Sequence, residues 1–122
     1  MGISDGQRAT ILIVEDLDWI RSGMKDSVRH LGYHFLEASD DVEAIEMAEA
    51  ERPDLILTEE ELPAFDSLLA RIRQHPTLRD TPVVIINPDA DEGTRYGDAV
   101  VLAGYELLPS LLLPRVETPD EN

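Results

Sequence analysis

Four side chains stand where a parallel sheet would bring them together. Glu15 and Asp16 follow one apolar run, Glu59 follows another, and Asn87 follows a third. Carboxylates converging from two strand ends repel one another. Either a divalent cation compensates them, or some hold protons at a pH where a free carboxylate would not. An all-oxygen set suits Mg²⁺ or another hard cation, with Glu15, Asp16 and Glu59 as the side-chain ligands. The plainer alternative is that these acids face solvent at loop starts. Asn87 adds an amide that both donates and accepts.

The remaining composition narrows the chemistry. The chain has no cysteine, which removes disulfides, thiolate nucleophiles and Cys-ligated zinc together. His30, His34 and His75 show no metal-binding spacing. The single lysine is Lys25, so a lysine is not available anywhere else. Acidic residues number 26 against 10 basic ones, for a formal net charge of -16. Such a chain is repelled by nucleic acid and anionic lipid, and suits cations or basic protein surfaces. No apolar run approaches the roughly 20 residues that span a bilayer. The first residues lack the pattern of a signal peptide, so a cytoplasmic location is expected.

The elements that must position these residues alternate. Ile11-Leu12-Ile13-Val14 reads as a strand buried on both faces. Leu17, Ile20, Met24, Val28 and Leu31 recur at helical spacing, with Asp18 as the expected cap and Gly32 as the stop. Residues 33–38 read as a second strand. Asp40 and Glu43 resemble a capping box that opens a helix to about Glu51. Residues 54–58 and 83–86 are the third and fourth strands. Between them Phe65, Leu68, Leu69 and Ile72 mark a helix, capped by Asp66. Tyr96, Ala99, Val100 and Ala103 predict a fourth helix stopped by Gly104, and residues 105–108 a fifth strand. This alternation predicts βαβ units and a parallel sheet covered on both faces. Length allows one domain over residues 10–116, with an extension at 1–9 and an acidic tail at 117–122. Pro109, Pro114 and Pro119 disfavour a long fifth helix.

In order and spacing, these segments resemble the bacterial response-regulator receiver domain, the CheY-like module of two-component signalling. Ile11 to Asp16 resembles its first strand and acidic pair. Gly32-Tyr33, Pro53 to Leu57, Leu62-Pro63 with Asp66, Arg73 to Val84, and Ala103-Gly104 resemble its later landmarks. The resemblance implies a flavodoxin-like, five-stranded parallel sheet in the order 2-1-3-4-5. It also implies Mg²⁺ on Glu15, Asp16, Glu59 and the Glu61 backbone carbonyl.

The comparison equally implies losses. Glu59 stands for the phosphoacceptor Asp, Asn87 for the switch Ser or Thr, and Leu108 for the aromatic switch residue of strand five. Pro109, Leu111 or Leu113 stands for the Lys that precedes a Pro after that strand. An Asp acceptor attacks a phosphoryl group whose charge is neutralised by Mg²⁺ and that Lys. Glu59 is one methylene too long, and misplacement on the order of 1 Å can cost roughly a hundredfold. The expectation is a degenerate, non-enzymatic pseudo-receiver working through protein partners. A phosphorylatable receiver is the alternative. A haloacid-dehalogenase-like phosphatase, suggested by Asp16-Leu17-Asp18, is the more distant one.

With the fifth helix short or absent, Leu107, Leu108, Leu111, Leu112 and Leu113 would lack their usual cover. They would then form an interface, including a homodimer through the helix 4/strand 5 face. The other readings are that they fold back on the sheet or that further chain follows Asn122.

Overall fold

The computed structural model describes residues 9–109. Five strands, β1 (Thr10–Val14), β2 (His34–Ala38), β3 (Leu55–Glu59), β4 (Val83–Ile86) and β5 (Val100–Leu102), form one sheet. All pair in parallel in the order β2-β1-β3-β4-β5, the predicted arrangement. The apolar runs explain the order. Ile11 to Val14, Leu55 to Leu57 and Val83 to Ile86 are buried on both faces, as central parallel strands must be.

Among the described residues, three complete α-helices cover the sheet: α1 (Asp18–Val28), α2 (Asp41–Glu51) and α3 (Phe65–Gln74). Met24 and Val28 of α1 pack with Ile11, Ile13, Leu57 and Val84 on one face. Ala44, Ile45, Leu68 and Ile72 of α2 and α3 pack with Leu12, Val14, Ile56 and Ile85 on the other. The side-chain period of two in the strands thus divides one apolar run between two cores.

The ends are set locally. α1 passes into a 3-10 turn at Arg29–Leu31 and stops at Gly32, whose φ of 84° a β-carbon would disfavour. Asp40 accepts the Glu43 N–H at 2.8 Å, and Glu43 accepts the Ser39 N–H at 2.8 Å. The Asp40 cap is the predicted one, while the return bond of the expected capping box falls on Ser39, one residue before the cap. Two expected caps are corrected. Leu17 occupies the cap of α1, so Asp18 is its first helical residue. Ala64, at φ 64°, precedes α3, so Asp66 lies inside the first turn.

The largest correction lies after β4. The predicted fourth helix is not formed: among the described residues, none between Ile86 and Val100 is helical. Val100, Val101 and Leu102 instead pair with Val84, Ile85 and Ile86 as β5. Residues 105–107, expected in strand five, form a 3-10 turn, Tyr105–Leu107. Gly97 sits at φ 63°, which interrupts a right-handed helix, and the β-branched pair that follows has strand character. Leu108 is therefore neither on strand five nor on the surface. It is 0% exposed, packed in the α1-side core, which removes it from both the switch and interface positions. Leu107 stays 45% exposed. Leu111, Leu112, Leu113 and the predicted tail lie outside the described residues.

Candidate functional site

β1 and β3 are neighbours and end together, so Glu15 and Glu59 leave the sheet side by side. Glu15 is only 1% exposed. Its Oε2 accepts the Leu17 N–H at 3.1 Å. Its Oε1 is buried without a hydrogen-bond partner. The groups that act on this carboxyl from the loops beside it, Asp16 and Glu59, are acids. Burial above all, then the Asp16 contact and the charge of Glu59, push the Glu15 carboxyl up to about 8. Glu59, 9% exposed, is raised in the same direction, again chiefly by burial, with Glu61, Asp16 and Glu60 adding repulsion. Thr58, beside them on β3, buries its hydroxyl without a partner.

The loop after β3 is pinned tightly. The Glu60 N–H bonds the Ile86 carbonyl at 2.9 Å, and the Leu62 N–H bonds the Glu59 carbonyl at 3.0 Å. Glu60 and Glu61 are thereby carried over the end of β3, while Asp16 stays exposed at the end of β1. The crowd of acids expected at this end of the sheet is present.

The nearest cations do not relieve it. Arg21, which composition and spacing did not single out, donates from Nη1 to the Glu15 backbone carbonyl at 2.5 Å. Its Nε donates to Glu37 at 3.1 Å, and it also pairs with Asp18. Lys25 donates to Glu37 at 2.8 Å. Both positive side chains are thus held on the β2 side. The position directly after β5 is Ala103, followed by Gly104. With β5 placed at Val100–Leu102, Pro109 does not directly follow the strand, and Leu111 and Leu113 lie outside the described residues.

The oxygens present are hard donors of the kind Mg²⁺ takes. Among the described residues, no three Asp, Glu, His or Cys side chains are grouped to hold a metal.

Asn87 sits at the end of β4, 9% exposed and fully engaged. Its Nδ2 donates to the Tyr96 hydroxyl at 2.9 Å, and its Oδ1 accepts the Asp89 N–H at 2.9 Å. Its own N–H bonds the Leu102 carbonyl at 2.8 Å. The Tyr96 ring stands edge-on to Phe65 of α3, with centroids 5.3 Å apart. Tyr96 also lines a cavity of about 270 Å³ with Leu69, Ala70, Arg73 and Gly97. So the polar position at the end of β4 is tied by one phenol to α3, through a loop rather than a helix. Reading Tyr96 as part of a helical stripe hid this role. Tyr96→Phe should keep the ring contact and lose about 1 kcal/mol in urea unfolding, because Asn87 Nδ2 loses its partner. An unchanged midpoint would show that bond to be idle.

The comparisons with known proteins agree with this geometry. The receiver domain of the sensor histidine kinase PA1611 from Pseudomonas aeruginosa superposes with a TM-score of 0.76. It is 26% identical, over 91% of this chain and 99% of that one. That structure holds a magnesium ion coordinated in its active site cleft. The chemotaxis protein CheY4 of Vibrio cholerae superposes with a TM-score of 0.75 at 24% identity, over 89% of this chain and 98% of that one, and shares the fold. In sequence, the transcriptional regulatory protein PdtaR of Mycobacterium tuberculosis is 33% identical over 113 residues, covering 88% of this chain. The chain spans about half of that relative's length, 54%. The model of the response regulator receiver domain matches residues 11–104, most of the 122 in the chain, which therefore belongs to that family.

Proposed function

We propose that this receiver domain is a pseudo-receiver: it serves a two-component pathway by binding proteins, without taking a phosphoryl group on a carboxylate. The observation that carries this reading is the carboxyl pair at the ends of β1 and β3. Glu59, at the acceptor position, is buried beside Glu15, and burial raises both carboxyls above the ordinary range. A carboxyl raised in this way is a weakened nucleophile, and among the described residues Arg21 and Lys25 are held on Glu37 rather than on Glu59. The residue directly after β5 is Ala103, not a lysine, and Lys25 is spent on Glu37. Asn87 has its amide committed to Tyr96 and Asp89 instead of a free hydroxyl.

Mg²⁺ on Glu15, Asp16, Glu59 and the Glu61 carbonyl belongs to the competing reading, a phosphorylatable receiver. The family and the magnesium in the PA1611 receiver favour that reading. Incubation with acetyl phosphate and Mg²⁺, followed by intact mass, separates the two. The pseudo-receiver stays at its unmodified mass.

A further inference from the structure

The loop that stands in place of a fourth helix leaves a cavity against one flank of α3. Leu69, Ala70 and Arg73 of α3 and Tyr96 and Gly97 of the loop line it, and its volume is about 270 Å³. Arg73 is four residues from Leu69 and three from Ala70, so the three share one helix face. Tyr96 is held at two points. Its ring stands edge-on to Phe65, and its hydroxyl accepts the Asn87 Nδ2 at 2.9 Å. Gly97 adds no bulk to the wall: its φ is 63°, and nothing lies within 4 Å of where a β-carbon would stand.

Arg73 is the one charged residue of this lining. Its Nη2 lies 2.6 Å from Asp98, whose side chain is 83% exposed. An ion pair with so exposed a partner is held weakly against water and salt. A guanidinium presents five N–H donors in a planar fork, and among the described residues no second acid pairs with this one. Apolar walls with a single convergent cation suit a small organic anion. A flat ring packs on Tyr96 and Leu69 with few torsions to freeze, and a carboxylate meets the fork in two parallel bonds.

We propose that this cavity binds a small aromatic carboxylate, its ring against Tyr96 and Leu69 and its carboxylate on Arg73 in exchange for Asp98. Tyr96 also holds Asn87, so occupancy of the cavity is felt at the end of β4, beside the acidic pocket. The volume restricts the ligand to a single ring with short substituents. The site makes no use of Glu59. Phosphorylation of Glu59 would overturn the pseudo-receiver reading and leave the cavity standing.

The probe is benzoate, titrated into the full chain at about 150 mM salt and followed by heteronuclear NMR. The Leu69 methyls and the Ala70 and Gly97 amides should shift along one saturating curve, with a dissociation constant on the order of 1 mM. The Asn87 side-chain amide should shift with them. Arg73→Gln should weaken binding about tenfold, the loss of one charge-assisted contact. Ala70→Leu, which fills the cavity from an exposed helical position, should abolish it. Arg71→Gln, on the same helix but outside the cavity, should leave it unchanged. Benzyl alcohol, of similar size but uncharged, should bind about tenfold more weakly. Circular dichroism confirms that the variants fold. No saturation up to about 20 mM, equal affinity for benzyl alcohol, wild-type affinity in both Arg73→Gln and Ala70→Leu, or an Asn87 amide that stays still at saturation would overturn the proposal.

Discussion

Raising the pH from about 5 to about 8 should lower the unfolding free energy of this domain by on the order of 2 kcal/mol. The cause is the Glu15 carboxyl. Its pKa is raised from 4.5 to about 8 in the folded state, chiefly by burial. Between those values the native state keeps a proton that the unfolded chain has released. Stability linked to that proton is complete below the unfolded pKa. It is lost as pH rises, until the folded carboxyl also ionises. Glu59 is raised and contributes with the same sign. Glu37 has the opposite sign, since hydrogen bonding from Lys25 and then Arg21 lowers it; its effect falls below the ordinary carboxylate range, outside this window.

Glu15→Gln isolates the effect. The amide keeps the size and cannot ionise. Urea unfolding should show the variant to be the more stable protein at about pH 8. The difference should shrink toward about pH 5. A wild type that gains stability across this range, or a variant that keeps the full slope, would show that Glu15 holds no such proton.

The second large effect concerns repair of the site. Glu59→Asp alone should leave the domain unmodified by acetyl phosphate. The triple variant Glu59→Asp, Asn87→Thr, Ala103→Lys should gain a phosphoryl group at a rate at least about a hundredfold higher, since both reach and charge stabilisation are restored. Aspartate draws the attacking oxygen back by a methylene. Threonine frees the end of β4 from its amide bonds, and the lysine stands directly after β5. Labelling of Glu59→Asp by itself would mean that length alone silences the site. An inert triple variant would mean that Ala103 is not the position from which a cation reaches the pocket.

The place of β5 at Val100–Leu102 was not legible from local spacing. Tyr96, Ala99, Val100 and Ala103 satisfy a helical period, while Val100-Val101-Leu102 also satisfies a buried strand. Tyr96 and Ala99 do pack against the α2–α3 core, as a helix stripe would, but they reach it from a loop. Pairing with β4 decided between the two, and such pairing is not written in local spacing. Shifting strand five earlier moved Leu108 from a strand into the core beside α1.

The first four strands and three helices were legible, because long apolar runs, Gly32 and the Asp40 cap are local signals. The acids at the strand ends were legible as soon as β1 and β3 were neighbours. How their charge is handled was not. Arg21 lies three residues from Asp18, an ordinary helical pair, and nothing in that spacing places its guanidinium on Glu37 of the next strand. The Asn87–Tyr96 bond likewise depends on the loop that replaces a helix.

The central claim is that this receiver fold carries no working acceptor at Glu59. Intact-mass spectrometry of the wild-type chain after incubation with acetyl phosphate and Mg²⁺ tests it most directly. A single peak at the unmodified mass is expected. A peak heavier by one phosphoryl group, absent from Glu59→Gln treated in the same way, would contradict it.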